Sequence, residues 1–154
     1  MWGFPYAPRS MRRLVSIVAI AGVALAGCGG GDEEAAPAEE QVRTVVRQYL
    51  TAVASGNGER ACRTLTASGR EAVVAQVTAA FADSGGVDCI TAVREIRVDL
   101  TAGAKRVLLN PKVRAVRING SLASAEVERL AGPVPVRREG DDWRVDRGIV
   151  DVER

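Results

Sequence analysis

The stretch Ile118-Asn119-Gly120-Ser121-Leu122-Ala123 decides how the C-terminal half of this chain folds. Asn-Gly between two segments of alternating apolar and polar residues is the strongest short signal for a β-hairpin, because both residues accept the positive φ of a tight turn. With that Asn-Gly pair at the turn, Ile118 would pair with Ser121. Val116 would then lie opposite Ala123. The residues expected to share the inward face are Val116, Ile118, Ala123, Ala125 and Val127.

Two further strands are predicted after this hairpin. The segment Pro133-Val134-Pro135-Val136 reads as an edge strand or its start, because proline has no N–H group to donate to a neighbouring strand. The turn Glu139-Gly140-Asp141-Asp142 leads into a last strand. Alternation along that strand points Trp143 and Val145 inward together.

Helical spacing of apolar residues characterises the half of the chain before the hairpin. The first helix is predicted to begin near Gln41 and to end at Gly56, a residue type typical of helix C-termini. Its apolar stripe consists of Val42, Val45, Val46, Tyr49, Leu50 and Val53. Asn57 can cap a second helix that continues to about Leu65.

Two more helices are predicted downstream. Ser68-Gly69-Arg70-Glu71 has capping-box spacing and would start a third helix, and Asp88 can cap a fourth. Residues 90–100 fit a helix, although the last of them also alternate as a strand would. We predict a helix there, with a break at residues 101–103.

Helices followed by a curled antiparallel sheet indicate an α+β fold. The predicted order resembles the cystatin-like cone fold of nuclear transport factor two-like proteins, also called polyketide-cyclase-like or SnoaL-like, and many small exported actinobacterial lipoproteins look similar. The segments that carry this resemblance are residues 42–50, 61–66, 118–123 and 140–145. The resemblance covers roughly residues 41–147 and implies N-terminal helices packed on a curved antiparallel sheet.

The other end of the chain carries a leader pattern. Arg12-Arg13 precede the apolar run Leu14–Leu25, which would span only about 18 Å as a helix, short of the roughly 30 Å core of a bilayer. Leu25-Ala26-Gly27-Cys28 closes the run and resembles the lipobox of bacterial lipoprotein precursors. The resemblance implies that residues 1–27 are a cleaved signal peptide, for which Met11 is the preferred start, and that Cys28 carries the lipid.

This leader divides the chain into predicted segments. The lipidated cysteine and an acidic, glycine-rich tether occupy residues 28–40, the α+β domain residues 41–147 and a C-terminal tail residues 148–154. Cleavage before Cys28 removes three arginines and leaves 18 basic against 19 acidic residues, so the formal net charge changes from +2 to −1. The anchor places the protein on the outer face of the cytoplasmic membrane.

The two remaining cysteines, Cys62 and Cys89, form an even pair in a compartment where disulfides persist. We therefore predict that they are bonded to each other. Neither belongs to a Cys-x-x-Cys motif, and the sequence contains no histidine, so neither a metal site nor thiol redox chemistry is expected.

The lack of histidine also removes the commonest general base. Four carboxylates lie where alternation would expose them: Asp99, Glu126, Glu128 and Asp146. No catalytic residue and no cofactor is assigned for these reasons. Tyr49 and Trp143 are candidates for lining a pocket, because the first helix and the last strand enclose the cavity in the cone fold.

The function predicted from these features is a lipid-anchored, extracytoplasmic binding or interaction module that is not an enzyme. A hydrophobic small molecule or an envelope protein is the expected partner besides the membrane itself. The basic segment 94–117 could meet anionic headgroups or wall polymers, although ordinary solvated surface is the expected state of such a segment. It lacks interleaved aromatic residues, so nucleic acid is not expected as a partner.

Two alternatives stay open. An enzyme of the cyclase, isomerase or dehydratase type would show an open pocket with a carboxylate near an arginine. A structural subunit of an envelope complex that forms homodimers through its sheet would leave Val113, Ala115 and Leu122 uncovered on an apolar face.

Overall fold

The computed structural model describes residues 36–80 and 86–148, where five helices pack on a curved, unclosed antiparallel sheet of four strands. This arrangement confirms the predicted α+β class. The helices are α1 (Ala38–Ser55), α2 (Gly58–Thr64), α3 (Ala67–Ala80), α4 (Cys89–Asp99) and α5 (Ala102–Leu109). The strands are β1 (Val113–Asn119), β2 (Leu122–Val127), β3 (Val134–Glu139) and β4 (Asp142–Val145). The predicted leader, Cys28 and residues 149–154 lie outside the described residues.

Helix α1 begins at Ala38, three residues before the predicted start at Gln41, so residues 38–40 belong to the helix rather than to the tether. Pro37 occupies the N-cap position, and two glutamates lie in the first turn. Negative charge at a helix N-terminus interacts favourably with the helix dipole, which extends the helix beyond its apolar stripe. The helix ends before Gly56, as predicted.

The cap of α2 is confirmed, whereas the predicted cap of α3 is wrong. The Asn57 side chain accepts a hydrogen bond from the Arg60 N–H at 3.0 Å. At α3 the capping oxygen is Thr66 Oγ1, which accepts from the Gly69 N–H at 2.9 Å, and not Ser68. Thr66 is buried, and its own N–H donates to the Val145 carbonyl at 3.0 Å, so a contact with β4 fixes the position of the N-cap residue.

The ambiguous segment after Asp88 is helical, as predicted. The Asp88 carboxylate accepts from the Thr91 N–H at 2.7 Å and caps α4. The chain breaks at Leu100, but it does not remain irregular through residue 103 as predicted. Thr101 Oγ1 accepts from the Ala104 N–H at 3.1 Å and starts α5, a helix that periodicity alone did not indicate.

The hairpin between β1 and β2 is present, but its register differs from the predicted one. Asn119 pairs with Leu122, and Ile118 pairs with Ala123, so the turn is Gly120-Ser121 rather than Asn119-Gly120. Gly120 has φ 60° at the first central position, as a type II′ turn requires. The observed pairing differs from the predicted one by two residues, so each side chain stays on its predicted face of the sheet. The inward residues of β2 are buried as expected.

Strand β3 is a central strand and not the predicted edge, because the sheet order is β1-β2-β3-β4. The Arg138 N–H donates to the Ser121 carbonyl on the β2 side, so the missing N–H of Pro135 would face β4. Pro135 stands where β4 ends, and its carbonyl accepts from the Asp146 N–H at 2.9 Å. The proline thus costs the ladder at most its terminal hydrogen bond.

The core lies between α1 and the inner face of the sheet. Trp143 and Val145 of β4 both point into it, as predicted. Val116 and Ile118 lie on the edge strand β1 and are covered only in part. The largest fully buried side chains include Tyr49, Leu50, Leu65, Leu108, Val42 and Val46.

A disulfide joins Cys62 of α2 to Cys89 of α4, which confirms the predicted pairing. The Cα atoms of the two residues lie 6.2 Å apart, and the bridge closes a loop of 27 residues. This loop contains α3, so the bond limits the freedom of that whole segment in the unfolded chain.

Removal of this bridge should lower the free energy of unfolding by about 3.5 kcal/mol, the loop-entropy value for a loop of this length. Urea unfolding of the oxidised chain, followed by circular dichroism with and without reductant, measures the loss. The double variant Cys62→Ala, Cys89→Ala is the control, because its midpoint should not respond to reductant. Equal midpoints for the oxidised and reduced wild-type chain would contradict the prediction.

Candidate functional site

A cleft of about 470 Å³ opens between the first half of α1 and strand β4, next to the end of α2. We call it the α1–β4 cleft. From α1 and the residues before it come Ala36, Gln41, Thr44, Val45 and Gln48. From the end of α2 and the β3–β4 hairpin come Arg63, Thr64, Asp141, Asp142, Trp143 and Arg144. The lining therefore combines amides, hydroxyls and charges of both signs with three apolar residues.

The two aromatic candidates for pocket lining occupy different places. Trp143 borders the α1–β4 cleft, although only 7% of its surface is exposed. Tyr49 is 1% exposed and lies in the core, where its hydroxyl donates to the Gly148 carbonyl at 2.8 Å. Burial raises the pKa of the Tyr49 hydroxyl, which stays protonated and serves as a hydrogen-bond donor.

The backbone at Gly148 packs closely against Tyr49, which explains why this side chain is buried. A Cβ atom on Gly148 would lie 2.8 Å from the Tyr49 hydroxyl and 2.5 Å from a methyl group of Val73. Only glycine allows the backbone after β4 to come this close. The structure thus places Tyr49 outside the α1–β4 cleft, contrary to the prediction that it lines a pocket.

Arg144 interacts with a backbone carbonyl and with two carboxylates at the α1–β4 cleft. Its guanidinium donates to the Arg63 carbonyl at 3.0 Å and so connects β4 to the end of α2. The same group lies 3.6 Å from the carboxylates of Glu139 and Asp142. Asp142 is 74% exposed, an environment typical of a surface ion pair.

The polar residues that α1 contributes to the α1–β4 cleft were not predicted from the sequence. Gln41, Thr44 and Gln48 recur at i, i+3 and i+7 on α1, directly beside the apolar stripe. A row of uncharged hydrogen-bonding residues at helical spacing is the signal that could have found them. The sequence does not show that the β3–β4 hairpin stands opposite this row, because that placement depends on the packing of α1 on the sheet.

The carboxylates considered for catalysis do not line the α1–β4 cleft. Asp99 is exposed on α4. Glu126 pairs with Arg117 at 2.6 Å across the outer face of the sheet. Glu128 pairs with Arg114 at 3.2 Å.

Asp146 holds the start of α3 to the sheet. Its carboxylate accepts from Thr66 Oγ1 at 3.1 Å and from Ser68 Oγ at 3.0 Å. Arg137 donates to both carboxylate oxygens, at 3.2 and 3.0 Å. The hydrogen bond from Arg137, followed by those from Ser68 and Thr66, holds the pKa of Asp146 below its usual range.

The outer face of the sheet is mainly polar. Cross-strand ion pairs join Arg117 to Glu126 and Arg144 to Glu139. Leu122 is 47% exposed there, whereas Val113 packs against the core. The face required by the dimerisation hypothesis is therefore not a continuous apolar surface.

Residues 36–80 and 86–148 contain neither a cluster of metal ligands nor a membrane-spanning helix. Within these ranges, histidine, cysteine, aspartate and glutamate side chains do not gather in groups of three that could hold a metal ion. None of the helices in the same ranges has both the length and the apolar character needed to cross a bilayer.

Comparison with protein-family models, with curated proteins and with solved structures finds no match to this chain.

The lowered pKa of Asp146 predicts a pH dependence of stability. Its folded form binds fewer protons than its unfolded form near the ordinary aspartate pKa of about 3.9, so its contribution is present above that pH and is lost as the pH falls further. Urea unfolding at neutral pH and near pH 3 should show a loss that Asp146→Asn reduces by on the order of 0.5–1 kcal/mol.

Asp141→Asn is the matched control, because this aspartate is fully exposed at the β3–β4 turn. The control should keep the pH dependence of the wild-type chain. An Asp146→Asn variant that also keeps it would contradict the assigned role of Asp146.

Proposed function

We propose that this chain is a lipid-anchored, extracytoplasmic binding module on the outer face of the cytoplasmic membrane. The lipobox-like segment Leu25-Ala26-Gly27-Cys28 supports the anchor. The disulfide between Cys62 and Cys89 is consistent with an oxidising compartment outside the cytoplasm. The α1–β4 cleft is the proposed binding site and is the observation that carries the binding role.

The chemistry of the cleft favours a polar ligand such as a peptide segment of an envelope protein. Gln41 and Gln48 can each donate and accept hydrogen bonds, as a peptide backbone does. Arg63 and Asp141 offer charges of opposite sign for a charged side chain or terminus. Val45 and Trp143 add apolar surface that can contact an apolar side chain of such a segment. The cleft volume lies within the range of ordinary ligand sites.

An enzyme of the cyclase, isomerase or dehydratase type is the second candidate. The observation in its favour is the pair formed by Asp142 and Arg144 in an open cleft, 3.6 Å apart. A general base works best when burial and neighbouring groups tune it to the working pH, whereas Asp142 is mostly exposed. Binding is therefore the better supported role. The cone-fold resemblance would suit either candidate.

The third candidate, a structural subunit that dimerises through its sheet, has the least support. Dimerisation of that kind needs a contiguous apolar patch. Cross-strand ion pairs interrupt the outer face of the sheet instead.

Replacement of Cys28 by Ala should move the protein from the membrane fraction to the soluble fraction, because the thiol is the proposed attachment point of the lipid. Fractionation of cells and immunoblotting measure the change. Gly31→Ala, which keeps the cysteine, is the control and should remain in the membrane fraction. Identical fractionation of the two variants would refute the lipid anchor.

A photo-crosslinking residue at position 48 should give a discrete adduct with an envelope protein in intact cells, because Gln48 lines the α1–β4 cleft. The same residue at position 76 is the control, since Gln76 is an exposed glutamine on α3 outside the cleft. Immunoblots after irradiation compare the two. Equal labelling at both positions, or none at position 48, would contradict peptide binding in the cleft.

A further inference from the structure

A second cleft of about 420 Å³ opens between α5, the start of β1 and the turn after β2. We call it the cationic groove. Its lining residues are Gly103, Arg106, Val107, Asn110, Lys112, Glu128 and Arg129. It shares no lining residue with the α1–β4 cleft.

The groove has an excess of positive charge. Arg106, Lys112 and Arg129 supply three cations from three different elements. Among the described residues that line the groove, Glu128 is the only acid. The Glu128 carboxylate lies 3.2 Å from the guanidinium of Arg114, which is not a lining residue, so its charge is already balanced. Arg106 Nε donates to the Ala102 carbonyl at 3.4 Å, and within residues 36–80 and 86–148 the three cations form no ion pair, which leaves their charge available to an anion.

The backbone at Arg129 is unusual. With φ 67°, it is the one non-glycine residue with positive φ among those the structure describes. Glycine adopts this conformation freely, whereas a residue with a Cβ rarely does. The turn is held by the Glu128 N–H, which donates to the Lys112 carbonyl at 2.9 Å. The long cationic side chain of Arg129 therefore lines the groove from a backbone conformation that glycine would adopt more readily.

The groove lies near the N-terminal part of α1. Arg43, in the second turn of that helix, donates to the Val113 carbonyl at 2.8 Å. Lys112 of the groove precedes Val113 directly. Lys112 therefore lies near the second turn of α1.

We propose that the cationic groove binds phosphate groups. Guanidinium groups match phosphate oxygens with two parallel hydrogen bonds, and the lysine adds a point charge. Asn110 can donate a further hydrogen bond from the groove wall. The phosphate could belong to the headgroup of an anionic phospholipid or could be free in solution. This site goes beyond the proposed function, which concerns the α1–β4 cleft.

Sedimentation of the full chain with lipid vesicles tests the headgroup as the source. The wild-type chain should bind phosphatidylglycerol vesicles more strongly than phosphatidylcholine vesicles, with a preference that weakens as salt is added. Each groove cation is expected to contribute about a fivefold factor, so the triple variant Arg106→Gln, Lys112→Gln, Arg129→Gln should lose on the order of 100-fold. Arg60→Gln, which removes an exposed charge on α2 outside the groove, is the matched control. Its affinity for the anionic vesicles should stay within a factor of about two.

Titration with inorganic phosphate tests free phosphate as the source. Saturable binding, followed by the shift of the unfolding midpoint, should disappear in the triple variant and persist in Arg60→Gln. A vesicle preference or phosphate binding that depends on the three groove residues supports the proposal and identifies the source. Equal behaviour of the triple variant and Arg60→Gln in both measurements would overturn it.

One further variant and one further variant background separate the effect of the groove cations from effects on folding and on lipidation. Arg129→Gly removes one cation while relieving the positive φ, so it should fold and still lose about fivefold in affinity. Repetition of both measurements in the Cys28→Ala background removes the proposed lipid. Loss of membrane attachment with retained phosphate binding would separate the failure of the anchor from the failure of the groove.

Discussion

The packing of the apolar stripe of α1 on the inner face of the sheet is the contact on which the rest of this structure depends. Val42, Val46, Leu50 and Val53 are almost completely buried, so one side of this helix is covered along its length. Burial of apolar surface supplies the main favourable term in folding, at roughly 25 cal/mol per Å². Because α1 also contacts α2, α4 and α5, its position sets where these three helices lie.

The two candidate binding surfaces follow from that packing. The α1–β4 cleft forms where the polar edge of α1 faces the β3–β4 hairpin, and the cationic groove forms where α5 meets the start of β1. One is lined by amides and by charges of both signs, and the other by three cations.

Several polar groups of the described chain form hydrogen bonds that connect elements of the fold. Asp146 and Thr66 form part of a network that connects α3 to the sheet, and the Tyr49 hydroxyl holds the backbone at Gly148. These groups form hydrogen bonds with one another or with the backbone, inside or at the edge of the core. Their polar atoms therefore stabilise the fold. The exposed pair of Asp142 and Arg144 is the arrangement nearest to an acid–base site in the α1–β4 cleft.

The sequence by itself determined the class of the fold, the first helix, the existence of both hairpins and the Cys62–Cys89 pair. The elements could be predicted because periodicity and turn residues act locally along the chain. The disulfide could be predicted from the number of cysteines. Only the tertiary structure decided the cap at Thr66, the central position of β3 and the burial of Tyr49. Each of these depends on atoms distant in sequence: a β4 carbonyl, two neighbouring strands and the bare backbone of Gly148. The two clefts belong to the same category, since residues from separate elements line each of them.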